Sequence, residues 1–420
     1  MNTIERKIYD FVKSNPKIKN LVRDLYQWLF IFVPVKEVGI ENIIVSKPGF
    51  FFGFHDKSPW SFGDKFLLAN RFSIPNRKIN SNDSIEVGYF EDKNCEKFIP
   101  LAKTNSFNWQ QGCMLQWVGE KNEIIFNSFN GDKHISKVLD LAGNIIQEIP
   151  LPIGAVSPNG KYALSYSFSR MAKYAPGYGY ENVLDDDLKS MIPEAEGLSL
   201  VDLESREIKK LFSIKDIVSI DFDDTMEDAH HYFTHCLFSP SGNKFVFFHR
   251  WIKDLNFVKT RMISCDVDGS NKFIFPTNGM VSHIGWKDEK RIMAYCSTKL
   301  FGDAYTLFEV GKNEYFRIGE GIITSDGHPS FSPSNNNYFI TDTYPDKFRL
   351  SSLFLFNCNT NKRYDLAKLK QPMQFKQELR CDLHPRWNRA GTSICFDSAH
   401  TGMRSLCVVD VDKSIYLEKT

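Results

Sequence analysis

Four histidines recur at one position of a repeating pattern. They stand in His235-Cys-Leu-Phe-Ser-Pro, His283-Ile-Gly-Trp-Lys-Asp, His328-Pro-Ser-Phe-Ser-Pro and His384-Pro-Arg-Trp-Asn-Arg, each four residues before the same turn position. Imidazole is the commonest side-chain ligand for transition metals, and three or four together suit Mn, Fe, Co, Ni or Zn. A divalent metal held by His235, His283, His328 and His384 is therefore the first candidate chemistry. Carboxylates stand close by: Asp326 before His328, Asp382 before His384 and Asp228 before His230. Such groups complete a ligand shell or orient the imidazoles from behind. The competing reading makes each histidine a repeat residue that satisfies a turn and binds nothing.

A second set of residues suits chemistry on an acidic ring. Arg or a metal neutralises a carboxylate while His or Tyr moves a proton. The candidates for that catalytic work are His231, Tyr232, His249, Arg250 and Arg380. Candidates for holding a substrate are His55, Trp109, Gln111, Tyr174, Tyr178, Arg349 and His400, with Tyr344 as a further residue facing the site. The segment Asn108-Trp-Gln-Gln-Gly112 is rich in groups that hydrogen-bond to or stack on sugars. Strand-start packing with an amide-capped turn accounts for it equally. No GxSxG, P-loop, GxGxxG or HExxH occurs, and no acid pair marks a glycosidase.

Residues some fifty apart form one site only if a radial repeat brings them to one axis. From about residue 40 the chain reads as short strands separated by turns. Clear units are Ser157-Pro-Asn-Gly-Lys-Tyr-Ala-Leu, Ser239-Pro-Ser-Gly-Asn-Lys-Phe-Val and Ser332-Pro-Ser-Asn-Asn-Asn-Tyr-Phe, and a fourth keeps its turn glycine at Gly391. Pro and Gly set the tight turn between flanking strands. Weaker copies at 58, 117 and 286 complete a series anchored at 58, 117, 157, 239, 286, 332 and 387. Most spacings are blade-sized. Seven such units predict an all-β, seven-bladed β-propeller over residues 40–420, with six or eight blades as alternatives. The innermost strand of each blade lines the channel, so the four histidines are expected to ring one of its mouths. The long interval after 157 implies an insertion at about 169–197, read as a lid, a binding loop or disorder. Its Tyr174, Tyr178 and Tyr180 are suited to stacking on a sugar ring.

Composition agrees. The chain has 420 residues, 42% of them hydrophobic and 14% aromatic, with a net charge of +1. The aromatic content favours strands, and the near-zero charge argues against a nucleic-acid partner. Nine cysteines without a CxxC pair read as buried free thiols in a reducing compartment. Residues 1–36 carry apolar positions at helical spacing opposite Arg6, Lys7, Lys13, Lys17, Lys19 and Arg23, with Trp28 and Phe30 at the end. This predicts a basic amphipathic helix lying on a membrane surface, or docked on the protein body or a partner. The apolar run near residues 25–35 is too short to span a bilayer, and no signal-peptide cleavage site follows it.

The His-Pro-x-Phe/Trp-Ser-Pro units resemble TolB-like and WD40-like propeller repeats over roughly residues 50–415. A narrower resemblance lies in Ser325-Asp-Gly-His328-Pro-Ser-Phe-Ser-Pro and in Arg380-Cys-Asp-Leu-His384-Pro-Arg-Trp-Asn-Arg-Ala-Gly followed by Phe396-Asp-Ser. These look like the oligogalacturonate lyases, cytoplasmic seven-bladed propellers that cleave uronic-acid oligosaccharides by β-elimination. The resemblance implies a metal, usually manganese, held by His235, His328 and His384. The family's glutamine ligand falls on Ser325, with His283 as substitute. It implies a catalytic arginine, for which Arg250 is the candidate. Ulvan lyases, also propellers, use His, Tyr and Arg. The expected function is thus a cytoplasmic lyase acting on an acidic saccharide. The alternative is a non-catalytic carbohydrate-binding or scaffold propeller in surface-polysaccharide assembly at the inner membrane face. A transferase finds no nucleotide-sugar motif to support it.

Overall fold

The structure is a computed structural model that describes residues 22–412 apart from 23, 26, 31, 183–185 and 254–256. Most of the expected N-terminal helix lies outside the described residues. Among the described residues, no helix is long and apolar enough to cross a membrane.

Seven four-stranded antiparallel sheets are arranged as the blades of a propeller. In chain order, β1 (Ile43–Pro48) precedes the first blade, which is β2 (Phe50–Phe51), β3 (Leu67–Arg71), β4 (Ile85–Phe90) and β5 (Phe98–Thr104). Blade two is β6 (Gln116–Trp117), β7 (Glu123–Phe129), β8 (His134–Asp140) and β9 (Ile145–Ile149), and blade three is β10 (Ala155–Val156), β11 (Tyr162–Ser165), β12 (Gly197–Asp202) and β13 (Ile208–Ser213). Blade four is β14 (His230–Phe238), β15 (Lys244–Lys253), β16 (Phe257–Asp266) and β17 (Phe273–Ile274), and blade five is β18 (Val281–Trp286), β19 (Arg291–Thr298), β20 (Gly302–Glu309) and β21 (Tyr315–Arg317). Blade six is β22 (Ser330–Phe331), β23 (Tyr338–Asp342), β24 (Leu350–Asn357) and β25 (Lys362–Lys370). Blade seven holds β26 (Arg386–Trp387), β27 (Ser393–Ser398) and β28 (Ser405–Asp410). Its outer strand is β1, which pairs antiparallel with β28. The first strand among the described residues thus closes the ring and removes an open sheet edge.

All seven turn anchors read from sequence fall at the junction of the first and second strands of successive blades, those at 117, 286 and 387 being the last residue of the first strand. A backbone N–H reaches back over each turn, from Ser61, Val118, Ser157, Ser239, Lys287, Ser332 and Asn388. Aromatic side chains just before this position stitch neighbouring blades. The indoles of Trp117, Trp286 and Trp387 donate to the carbonyls of Pro59, Leu237 and Ser330 on the preceding blade. The insertion joins β11 to β12, and its described residues include a packed helix. It contains α1 (Phe168–Tyr174), capped by the Ser167 hydroxyl, which accepts from the Arg170 N–H. Arg170 is fully buried. Its guanidinium clasps the Glu196 carboxylate at 2.8 and 2.9 Å and donates to the Ser190 carbonyl. Eight of the nine cysteines are buried and none is disulfide-bonded, as the sequence implied.

Blades seven and one meet at a buried ion pair. Arg386 Nη2 lies 3.0 Å from Asp397 Oδ2, with both side chains 1% exposed. The Asp397 carboxylate accepts the N–H groups of Phe52 and Gly53, while Arg386 donates to the carbonyls of Gly53 and His384. Gly53 has φ +119°, and a Cβ there would meet the Gln111 backbone. Removing one partner of such a pair leaves an uncompensated buried charge, at a cost of about 3–5 kcal/mol. Asp397→Asn should therefore lower the unfolding free energy by about that amount in urea titration. A loss under about 1 kcal/mol would mean that the clamp carries no weight.

Candidate functional site

The turn hydrogen bonds define one structurally equivalent position per blade, four residues before each anchor N–H. It is occupied by Lys57, Met114, Ile153, His235, His283, His328 and His384. The four histidines therefore lie on consecutive blades, four to seven, at one level of the channel. They do not close on a single point. The ring of Phe54, 4% exposed, occupies the centre, with ring centroids 5.0, 6.0, 6.0 and 5.1 Å from His235, His283, His328 and His384. His55 follows it into the same cluster, 5.3 Å from His328 and 5.7 Å from His283.

Backbone geometry aims these side chains. His235 and His384 adopt left-handed φ of +55° and +45°, a region that non-glycine residues occupy only when their surroundings impose it. Bulges interrupt β14 between Thr234 and Leu237 and β18 between Val281 and His283. Gly327 lets the His328 segment press against β23, because a Cβ there would run into the Asp342 carbonyl.

Carboxylates fix the rings. Asp342 Oδ1 accepts both the N–H and the Nδ1 of His328, at 2.8 Å each, and its Oδ2 accepts the His384 N–H at 3.1 Å. Asp326, the residue expected to serve His328, instead sits 3.0 Å from Nδ1 of His283. His55 Nδ1 donates to the Pro329 carbonyl at 3.1 Å. These bonds at Nδ1 leave Nε2 as the lone-pair nitrogen of His55 and His328. The buried Nε2 atoms of His55, His328 and His384 have no protein hydrogen-bond partner. Ligand atoms of His328, Asp382 and His384 lie within 4.8 Å of one another. Two or three imidazole nitrogens and one carboxylate oxygen form a donor set that fits a divalent transition metal. The compact group takes His328 and His384 from the expected quartet. His235 stands apart, its Nδ1 2.8 Å from the Thr234 hydroxyl and its ring stacked on Phe248. His283 belongs to the cluster through a 4.0 Å ring contact with His328.

Above this cluster the residues are polar. Arg380 Nε contacts Asp382 at 2.5 Å and its Nη2 donates to the Tyr178 hydroxyl at 2.8 Å. The Tyr178 ring is 6.2 Å from His235, and the Tyr344 ring 5.6 Å from His328. Arg250 lies beside Tyr232 and His235, with its Nε unpartnered. Below the cluster, a polar cavity of about 140 Å³ opens between Asp56, Lys57, Gln116 and Arg389.

Other sequence candidates lie elsewhere. His231 and His249 pack within blade four, where Nδ1 of one meets Nε2 of the other at 2.8 Å and Arg261 donates to His249. Strand alternation turns these two into the sheet interior rather than toward the channel. Tyr174 bonds to His230 and the Leu188 carbonyl. Trp109 is buried against Phe51, Phe72 and Arg404. Gln111 is buried in a turn capped by the Asn108 side chain. Arg349 is spent on the carbonyls of Gln371, Pro372 and Phe375. His400 bonds to Ser398 in a blade-seven hairpin, and Asp228 is exposed. Phe54 and the orienting role of Asp342 escaped the sequence reading, since neither belongs to the repeated motif.

No protein-family model matches the chain, and no curated protein sequence matches it. Solved structures do. An oligogalacturonate lyase in complex with manganese aligns with TM-score 0.59 at 13% identity, covering 88% of this chain and 92% of that one. An oligogalacturonate lyase from Vibrio parahaemolyticus aligns with TM-score 0.57 at 12% identity over the same shares. A prolyl endopeptidase aligns with TM-score 0.50 at 8% identity, covering 93% of this chain and 48% of that one. At these identities the likeness is one of fold: the chain is a seven-bladed β-propeller, like that of the oligogalacturonate lyases.

Burial holds most of the histidines neutral. Desolvation pushes His55, His235 and His384 well below the ordinary imidazole value, and His134 and His231 down to about 4. His328 is the exception: burial would lower it, but Asp342 outweighs that and raises it. Below about pH 6.5 the unfolded chain takes up protons that the buried imidazoles refuse, so folding stability falls as pH drops. The urea midpoint should decline between about pH 6.5 and 5, above the range where carboxylates titrate. A midpoint constant across that window would contradict the buried, neutral state of these rings.

Proposed function

We propose that the channel mouth lined by the histidine cluster, Asp382, Arg380, Tyr178, Tyr344 and Arg250, called the funnel below, is the active site of a lyase that cleaves uronic-acid-containing saccharides by β-elimination. The observation that carries this reading is the convergence of unpartnered imidazole nitrogens at Asp382 with the Arg380–Tyr178 pair directly above. His328, His384 and Asp382 would hold a divalent metal, manganese by analogy with the fold neighbour, with His55 as a further ligand. A metal there would act as a Lewis acid toward the substrate carboxylate. Arg250, whose Nε is unpartnered, binds the same carboxylate and so favours loss of the adjacent C5 proton. In this reading Tyr178, in its deprotonated form, takes that proton, with Arg380 donating to its oxygen and holding it in position. The released electron pair forms the C4=C5 double bond as the C4–O bond breaks, and the leaving oxygen departs with a proton from water. Tyr344 covers the His283 and His328 side of the funnel. Phe54 keeps the centre apolar, which strengthens the electrostatic interactions around it.

The described part of the N-terminal segment favours peripheral membrane contact. Gln27, 4% exposed, donates to the Pro345 and Asp346 carbonyls and accepts from Arg349, so the helical residues 27–30 are latched to the loop that carries Tyr344. The outward side chains of Leu25, Trp28, Leu29 and Phe32 are 58, 55, 58 and 79% exposed. Lys347 lies over Phe30, and Lys376 pairs with Asp24 beside it. An apolar, Trp-bearing face flanked by lysines suits the interface of an anionic bilayer. On this reading the funnel mouth sits near the inner membrane face of the cytoplasm.

Incubation with oligogalacturonides and other oligouronides in the presence of Mn should give unsaturated product, read by its ultraviolet absorbance. Tyr178→Phe should reduce kcat by about 10²–10⁴-fold. No absorbance with any uronate substrate would end the lyase reading. In vesicle flotation, the chain should bind phosphatidylglycerol-containing vesicles, and Leu25→Glu with Trp28→Glu should release it. Equal flotation of wild type and double variant would remove the membrane contact from this face.

A further inference from the structure

A second cavity, of about 440 Å³, lies between blades two and three and shares no residue with the funnel or the axial cavity. Its volume falls in the range of small-ligand pockets, about 300–1,000 Å³. Phe129, Leu151 and Pro152 form one wall, and Ser165, Ser169 and Ser199 line the other. Among its buried lining residues, His134 and Asn182 each leave nitrogen or oxygen atoms unused. His134, 7% exposed, contacts the Ser106 hydroxyl through Nδ1, and its Nε2 has no protein partner. Asn182, also 7% exposed, has no protein partner for either Oδ1 or Nδ2. Buried polar atoms in folded proteins are nearly always paired, so the unpaired atoms of His134 and Asn182, with the unpaired hydroxyl of Tyr166 on the same lining, call for a partner.

Charge and shape define its class. Glu196 is neutralised by the two-pronged contact with Arg170. Asp132 and Lys133 offset each other at the exposed rim. The lining thus offers no net charge for an anion, unlike the funnel. The Asn182 amide places a donor and an acceptor side by side, matching neighbouring hydroxyls that each donate and accept. The faces of Phe168 are already taken, by Tyr166 at 4.8 Å and Tyr180 at 4.7 Å, so it offers no platform for a flat base. Leu151 and Pro152 present aliphatic surface, which suits the C–H face of a sugar ring.

We propose that this inter-blade cavity binds a neutral saccharide unit through His134 and Asn182, at a site separate from the funnel. It holds a sugar without cleaving it, and it stands whether or not the funnel is a lyase. The test is saturation-transfer NMR on the full chain with methyl glucoside, methyl galactoside, N-acetylglucosamine and cellobiose. At least one probe should give a signal that survives in the funnel variant Asp382→Asn. In Asn182→Leu and His134→Phe that signal should weaken by about tenfold or more in Kd. Ser199→Tyr, which narrows the cavity without touching a buried polar group, should block it equally and guards against a variant that fails to fold. No signal with any probe would mean that water alone satisfies the cavity, and would overturn the proposal. So would a signal lost in Asp382→Asn but retained in Asn182→Leu.

Discussion

The Arg386–Asp397 pair is the constraint on which the rest of the molecule depends. A closed ring of blades must bring the two ends of the chain together, and here the join is also the floor of the site. Asp397 draws in the backbone of Phe52 and Gly53, and Arg386 holds the carbonyls of Gly53 and His384. The residues that follow Gly53 are Phe54, which fills the centre of the histidine ring, and His55, which joins its rim. Two charges at 1% exposure are tolerated because each is hydrogen-bonded as well as paired. The pair converts ring closure into the placement of three side chains at the axis.

From that join the site follows blade by blade. Each inner strand delivers one residue at the same level, and sequence decides what it is: aliphatic or cationic on blades one to three, imidazole on blades four to seven. Asp342 reaches the imidazole of His328 and the backbone N–H of His384, so blade six positions a histidine on its neighbour as well as its own. The result is an asymmetric channel with its nitrogen donors on one side and the Arg380–Tyr178 pair across the mouth. The same architecture occurs in lyases and in a peptidase propeller, which is why the argument for activity rests on these side chains and not on the fold.

Much of this was legible in the sequence. Proline, glycine or serine at six of the seven turns has a local physical cause and marked those blades; the turn Lys287-Asp-Glu-Lys290 carries none of the three and was marked by Trp286 and the apolar run that follows it. The histidines followed because they keep a fixed distance from those turns. What failed to show depended on contacts far apart in sequence. The closing strand Ile43–Pro48 carries no turn signal and is defined only by pairing with Ser405–Asp410. Phe54 and His55 reach the axis through a glycine-led excursion rather than at the repeat position. His231 and His249 looked available, but strand alternation turns them into blade four. Of the quartet, His328 and His384 converge with Asp382, whereas the bulge in β14 leaves His235 beside Phe248.

The central claim is that His328, His384 and Asp382 form a divalent-metal site at the axis. Crystals grown with MnCl₂ and measured at the manganese absorption edge test it most directly. The account predicts a single strong anomalous peak between the Nε2 atoms of His328 and His384 and the Asp382 carboxylate, absent in His384→Ala. Anomalous maps without a peak there, or with one unchanged in His384→Ala, would contradict it.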